Sequence, residues 1–275
     1  MSDPHPRFPV TLLVITRNEA HTIARCLDSV PFVSEKVVVD AGSADGTVAI
    51  ARAHGARVVH QDWLGFGPQR TFATSQASHD WILFLDADEV LSPELAREFE
   101  RRLPALLASK HAGARLRRAA MYMGAPMRWY RPMTGEILER FYHRGRARWT
   151  DARVHEGLIF DGPGETFDAA FMHYQNPTLV HKQLKVLRYS ELKARDWLER
   201  GRPARMWDCP LVFAGTFLKD YLLRLAFLDG WRGFIVAHIA ASYAVYKRIR
   251  YYEMHYNPES REAAARALEH HDLGG

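Results

Sequence analysis

The sequence predicts an α/β fold with a mostly parallel sheet in its N-terminal part and amphipathic helices at its C-terminal end. Three observations carry that expectation. Short continuous apolar runs alternate with segments of helical period over the first 110 residues, the pattern of βαβ units. Two of those runs end in carboxylates, at Asp40 and at Asp86-Ala87-Asp88-Glu89, and open α/β sheets bind ligands at the carboxyl ends of their strands. From residue 177 on, the period is helical, with two long apolar stretches flanked by glycine and cations.

Residues 9–16 (PVTLLVIT) read as a first buried strand, followed by Arg17-Asn18-Glu19 and a helix with the stripe Ile23, Leu27 and Val30. Residues 35–40 (EKVVVD) form a second strand, and the glycine-rich turn at 41–47 (AGSADGT) opens a helix that stops at Gly55. A short third strand spans 57–60, and residues 65–78 give a glycine-rich entry and a helix. The most apolar strand, 81–85 (WILFL), runs straight into the three acids. A helix starts at Pro93, and Pro104 is expected to kink or end it near Leu103. Segments 115–123, 137–142, 154–160 and 166–174, rich in Arg and aromatics, read as strands or irregular segments. Residues 181–200 form a helix stopped by Gly201 and Pro203. Residues 211–228 and 234–252 are apolar helices separated by Asp229-Gly230, and the polar tail from 257 reads as loose helix or disorder. The expected division is 1–110 for one ligand-binding half, 111–176 for a second, catalytic half, 177–256 for a helical region and 257–275 for the tail.

The length of 275 residues allows a real core in one large domain or two small ones. A formal charge of +5 suits an anionic substrate or surface. Cys26 and Cys209 have no paired spacing, so neither a disulfide framework nor a zinc site is suggested, which fits a reducing compartment. Residues 1–9 lack an apolar core, so no secretory signal is expected, and no run of 18 uncharged apolar residues suggests a membrane span. Neither GxGxxG nor GxxxxGK[ST] occurs, so the dinucleotide fingerprint and the P-loop are absent.

Three acids within four residues repel one another unless positive charge sits among them. A hard divalent cation, Mg²⁺ or Mn²⁺, answers this, and such ions are held by one or two carboxylates together with substrate phosphates. The tip of strand 81–85 therefore reads as a metal–diphosphate site; the competing reading is an acidic loop before the helix at Ser92-Pro93-Glu94. Asp40 can accept hydrogen bonds from a base N–H or a ribose hydroxyl, and backbone N–H groups of the Gly42 turn can face phosphate. The alternative there is a plain Asp-Gly turn with Ser43 or Asp45 capping the next helix.

The series Thr16-Arg17-Asn18-Glu19, then residues 39–47 (VDAGSADGT), then Gly65-Phe66-Gly67-Pro68-Gln69-Arg70, then Asp86-Ala87-Asp88-Glu89 resembles glycosyltransferase family 2. Within it the chain looks like the lipopolysaccharide inner-core β-1,4-glucosyltransferases, with further matches at Val154-His155-Glu156 and at 188–194 (RYSELKA). The resemblance implies a GT-A fold (Rossmann-like) and inverting transfer of a hexose, glucose above all, from a UDP-linked donor to a lipopolysaccharide core or related envelope glycan. It implies that Thr16, Asn18 and Glu19 line the nucleoside pocket. Asp40 bonds the base and Arg70 meets the base or diphosphate. Asp86 touches the ribose or a metal-bound water, and Asp88 holds the metal.

An inverting transfer needs a base for the acceptor hydroxyl, and Glu156 is the candidate, with His155 orienting it or reaching the metal and Asp151 as the alternative. His173-Tyr174 offers another imidazole, read as a core or loop histidine. Arg140, Arg144, Arg146 and Arg148 with Phe141, Tyr142 and Trp149 form a basic–aromatic cluster able to hold a diphosphate or an acidic acceptor. A nucleic-acid groove is its rival, and no nucleic-acid partner is expected. Residues 176–250 hold 14 Lys and Arg against six Asp and Glu, and wide apolar faces with flanking cations suit an anionic lipid interface. Trp207, Tyr221, Trp231 and Tyr243 are the expected anchors; the competing reading is a helical hairpin packed on the catalytic domain or a second subunit. The expected location is cytoplasmic, peripheral on the inner face of the cytoplasmic membrane. A sugar nucleotidyltransferase would want glycines after the first strand, which Arg17-Asn18-Glu19 lacks; a non-catalytic nucleotide-sugar-binding protein would not need Asp86, Asp88 and Glu156 together.

Overall fold

The structure, a computed structural model, describes residues 6–150, 157–174, 178–203 and 205–261. They divide into two compact units. One holds the described residues of 6–119 and 135–174, the other those of 120–134 and 178–261.

The first unit is built on β1 (Phe8–Thr16), β2 (Val33–Asp40), β3 (Arg57–His60) and β4 (Trp81–Asp86), interleaved with α1 (Ile23–Asp28), α2 (Thr47–Ala53) and α3 (Phe66–Ser75). After β4 come β5 (Glu89–Leu91), α4 (Pro93–Leu107), β6 (Gly113–Tyr122), β7 (Ala125–Pro126, which falls in the second unit), β8 (Glu136–His143), β9 (Ala147–Trp149), β10 (Leu158–Phe160) and β11 (Gly164–His173). The main sheet runs β3-β2-β1-β4-β8-β6-β11-β5, with β7 off β6 and a separate β9–β10 pair. β3, β2, β1 and β4 are parallel. β8 joins β4 antiparallel, as β6 joins β8 and β11 joins β5.

The continuous apolar runs are explained by burial on both faces. On β1 and β4, Leu12, Val14, Leu83 and Leu85 enter one core with α1 and α4 residues, while Leu13, Ile15, Ile82 and Phe84 enter the other with Ala73 of α3 and Tyr142. β5 escaped the sequence reading because three residues carry too little periodicity to register. The expected end of the helix at Pro104 is corrected: α4 continues to Leu107. Ser92 caps its start, Pro93 sits in the first turn, and Leu95, Phe99, Leu103 and Leu106 bury one stripe, which outweighs the hydrogen bond that Pro104 cannot make.

Glu35 on β2 stitches the strand starts together. Its carboxylate accepts from Thr11 Oγ1 at 2.6 Å, Ser78 N and Oγ at 2.8 Å each, and Arg57 Nη2 at 3.3 Å. Burial raises its pKa, but these donors prevail and hold it below the ordinary 4.5. A depressed acid contributes stability that is present above the unfolded value and lost as pH falls through the folded one. Glu35→Gln is therefore expected to cost about 1–3 kcal/mol at neutral pH, with the gap closing in acid; urea melts of both proteins across pH 3–7, as an approximate range around the carboxyl value, check this.

The second unit contains α5 (Leu179–Glu199), α6 (Cys209–Leu218), a π turn at Lys219–Leu223, a 3₁₀ turn at Ala226–Asp229 and α7 (Gly230–Tyr256). Glu191 of α5 bridges Arg195 Nε at 2.8 Å and Arg250 Nε of α7 at 2.5 Å. The apolar helix expected over 211–228 ends ten residues early, at Leu218. Leu225 takes a left-handed φ of 64°, and Gly233 accepts the close pass of Ala226, whose O a Cβ would meet at 1.6 Å.

Candidate active site

Strand register assembles the candidate residues of the first unit. Thr16 pairs with Asp40, and Ile15 with Asp86, so the carboxyl ends of β1, β2 and β4 lie side by side. β1 is flanked by β2 on one side and β4 on the other, which makes this end a topological switch point.

The loops after β1 and β2 are laced together. Asn18 takes a left-handed φ of 57°; its N–H donates to Ser43 Oγ and its Oδ1 accepts from Ala44 N, each at 2.8 Å. Glu19 N donates to Thr47 Oγ1 at 2.8 Å and Ala20 N to Asp45 Oδ2 at 3.1 Å. Asp40 closes its own turn, accepting from Gly42 N at 3.0 Å, from Ser43 N at 2.9 Å and from the Ser43 hydroxyl. Gly42, with φ 85°, makes that turn possible. Asp40 and Gly42 thus shape the floor of the site through the local turn. Ser43 and Asp45, which the sequence offers as alternative helix caps, and Thr47 hold the β1 loop in place. Thr16 Oγ1 is buried there with no hydrogen-bond partner.

The acids at the tip of β4 are arranged by cations. Asp86 Oδ2 accepts from Arg140 Nη2 at 2.9 Å, and its Oδ1 lies 3.7 Å from Arg70 Nη2. Glu89, fully buried, accepts from the same Arg140 Nη2 at 2.5 Å and from Asp86 N at 3.0 Å, pinning the turn. Burial favours the neutral form of both carboxyls, but Arg140 and Arg70 outweigh it at Asp86 and hold that group below the usual range. At Glu89 burial, with the nearby Asp86 charge, prevails over Arg140 and His173 and leaves the group above the usual range. Arg70 lies among Phe66, Phe84 and Trp149, its guanidinium 5.6, 5.2 and 5.1 Å from their ring centres, and its Nε is buried without a partner.

Asp88 meets His173 of β11, with Oδ2 3.1 Å from Nε2, and Tyr174 N donates to the Asp88 carbonyl at 2.9 Å. Burial lowers the imidazole pKa, yet the Asp88 carboxylate prevails and raises it. Glu19 is pushed up to about 7, first by burial, with the Asp88, Asp45 and Asp86 charges adding and a hydrogen bond from Thr22 opposing. Glu19, Asp45, Asp86 and Asp88 thus lie close enough to influence one another at this end of the sheet, beside Arg70, Arg140 and His173. Among the described residues no three His, Cys, Asp or Glu side chains form a self-sufficient metal cage. Asp88 with His173 offers two donors, which fits a cation that completes its shell with substrate phosphates and waters.

His173 was read as a core or loop histidine; its spacing from Asp88 hides a contact made by β11 lying beside β5. The basic–aromatic cluster is corrected. Arg140 is buried on Asp86 and Glu89, Arg144 holds Asp80 and Ala77 O, Arg146 holds Ser109 O and His111 O, and Arg148 pairs with Asp161. All four guanidiniums have partners within the chain: Arg140 on β8 is buried, Arg144 and Arg146 reach acids and carbonyls from the turn between β8 and β9, and Arg148 makes a surface ion pair. Glu156, with Asp151 and His155, lies outside the described residues.

Residues 11–150 match the glycosyl transferase family 2 domain. The chain belongs to glycosyltransferase family 2. It is 32% identical over 268 residues to the lipopolysaccharide core biosynthesis glycosyltransferase LpsC of Rhizobium meliloti (strain 1021), covering 91% of this chain and 94% of that one. An uncharacterized glycosyltransferase of Rickettsia typhi is 29% identical, covering 84% of this chain and 82% of that protein. Among solved structures, a glucosyl-3-phosphoglycerate synthase from Mycobacterium tuberculosis with Mn²⁺, UDP and glucosyl-3-phosphoglycerate aligns at 25% identity and TM-score 0.34, over 41% of this chain and 44% of that one. S. aureus TarS aligns at 15% identity and TM-score 0.45, over 90% of this chain and 91% of that one. The protein is thus a glycosyltransferase with an α/β sheet consistent with the GT-A fold, related to a lipopolysaccharide core enzyme.

Proposed function

We propose that this glycosyltransferase is an inverting, metal-dependent hexosyltransferase. In this reading it moves glucose from a UDP-linked donor to a lipopolysaccharide core or related envelope glycan at the inner face of the cytoplasmic membrane. The observation that carries the reading is the acid-tipped β4 at the switch point, with Asp86 and Asp88 beside Arg70 and His173. The kinship to LpsC, a protein named for lipopolysaccharide core biosynthesis, supports the acceptor class.

The donor nucleotide lies across the ends of β1 and β2, against Thr16, Asn18, Glu19 and the Asp40–Gly42 turn. Thr16 Oγ1 and Arg70 Nε, buried without partners, are the polar atoms left for it. Arg70, held among three aromatic rings, faces the base or diphosphate and opposes the charge that grows on the leaving group. A Mg²⁺ or Mn²⁺ ion held by Asp88, with Asp86 and His173 beside it, supplies charge neutralisation to the diphosphate when bound. Glu156 takes the proton of the acceptor hydroxyl as its oxygen bonds to the anomeric carbon and the bond to the diphosphate breaks, inverting that carbon.

UDP release from UDP-glucose in the presence of core-truncated lipopolysaccharide tests the whole reading, and no release with any nucleotide hexose would sink it. Asp88→Ala is expected to lower turnover by at least about 10²-fold with the fold intact. Wild-type turnover that persists undiminished in excess chelator would refute the metal.

A further inference from the structure

We propose that the outward face of α6, together with the turns that follow it, docks into the interface of an anionic lipid bilayer. The inference deepens the proposed function, on which it rests for the idea that the acceptor is a membrane glycolipid; its structural grounds lie in the helical unit alone.

α6 (CPLVFAGTFL) contains no charged residue and is apolar all round. A helix of that kind is normally covered on every side. Here one side is covered: Phe213 packs on His238 of α7, and Phe217 on Phe234 and Tyr221. The opposite side is bare. Leu211, Ala214 and Leu218 follow one another at helical spacing, and Leu222 continues the row through the π turn. Leu211 is 69% exposed and Leu223 72%. Phe227, Leu228 and Trp231 extend the apolar surface into the start of α7. Scattered exposed leucines need no explanation, but a contiguous apolar row of this length marks an interaction surface.

Charge and aromatic placement select the occupant. The acids of this stretch are all turned to internal use. Asp208 faces Arg248 at 3.7 Å. Asp220, 2% exposed, accepts from Tyr130 Oη and Arg224 Nη1 at 2.9 Å each. Asp229 accepts the backbone N–H groups of Arg128, Trp129 and Tyr130. The cations Arg205 and Lys219 are exposed, and the Arg232 guanidinium lies 4.8 Å over the ring of Trp231. The rim therefore presents positive charge, complementary to anionic headgroups. Exposed tryptophans stand at the two ends of the row: Trp207 before α6, and Trp231 with Trp129 near Asp229. α6 and α7 run antiparallel through the Phe213–His238 and Phe217–Phe234 contacts, which sets those ends apart. A protein–protein hot spot places its aromatics at the centre of the patch; a lipid interface places Trp at the headgroup boundary. No described helix is long and apolar enough to cross a membrane, and ten residues reach about 15 Å, half a bilayer core. The surface therefore lies in the interface plane. Of the anchors expected from sequence, Trp207 and Trp231 are exposed at the two ends of the row, whereas Tyr221 and Tyr243 pack against the buried cluster of Tyr122, Tyr130 and Val236.

Sedimentation of the full chain with phosphatidylcholine vesicles, with and without phosphatidylglycerol, tests the assignment. The wild type is expected to bind vesicles that contain phosphatidylglycerol, and Leu211→Ser with Leu218→Ser to lower the partition coefficient by about tenfold or more with an unchanged circular dichroism spectrum. Lys219→Glu, a surface change that keeps the fold, is expected to weaken binding to the anionic vesicles alone, and decides the matter if the double variant does not fold. A wild type that ignores anionic vesicles overturns the proposal. So does retention of full binding by the variants, or a solution dimer that Leu211→Ser dissociates, which would assign the face to a second copy. Vesicle binding without UDP release would refute the transferase reading and leave this one standing, and turnover of a soluble acceptor without vesicle binding would do the reverse.

Discussion

Glu156→Gln is expected to lower kcat by about 10²–10⁴-fold, the range for loss of a positioned general base, while donor affinity stays nearly unchanged. In an inverting displacement the acceptor approaches the anomeric carbon from the face opposite the diphosphate, so the base comes from a segment other than the nucleotide loops. Val154-His155-Glu156 is the acid-bearing motif there that the family resemblance also marks. Glutamine keeps the size and hydrogen-bonding capacity of the side chain and cannot take a proton. Steady-state turnover with calorimetric UDP titration separates the outcomes. Wild-type turnover by the variant passes the role to Asp151. Collapse of UDP affinity together with kcat makes Glu156 part of the donor or metal shell.

Arg140→Met is expected to destabilise the protein by about 3–5 kcal/mol, the cost of breaking a buried ion cluster from one side. Arg140 is 6% exposed, and its guanidinium serves both Asp86 and Glu89. Without it Glu89 has no cation within bonding distance among the described residues, and Asp86 keeps only the longer 3.7 Å approach of Arg70. Arg140→Lys is expected to recover part of the loss, because the shorter lysine supplies the charge but not the planar guanidinium whose Nη2 stands between the two carboxylates. The midpoint of urea unfolding at constant m-value reads the effect. An unchanged midpoint in the Met variant would mean that water, not Arg140, satisfies the two acids.

The alternation of apolar runs with helical segments determined the α/β class and the positions of β1, β2, β3 and β4. For β1 and β4 the reason is that a strand buried on both faces must be apolar at nearly every position, a local demand, whereas the edge strand β3 was legible only from its place in the alternation. The acid tips at Asp40 and Asp86 were legible for the same reason. Leu83, Phe84 and Leu85 announce the strand, and carboxylates that directly follow them sit at its carboxyl end. The motif series also sufficed for the family, since Asn18, Asp40, Arg70 and Asp88 stand in short stretches of fixed order. What the acids do to one another was not legible. Arg140 and Asp86 are 54 residues apart, and only the antiparallel placement of β8 against β4 turns a member of the basic–aromatic cluster into the cation that fixes the site. His173 reaches Asp88 because β11 pairs with β5, a three-residue strand with no periodic signature. The apolar helix read over 211–228 was right in composition, but composition does not say which side is covered. That depends on Phe213 and Phe217 meeting α7 and on the break at Leu225, a matter of packing between segments distant in sequence, which tertiary structure alone decides.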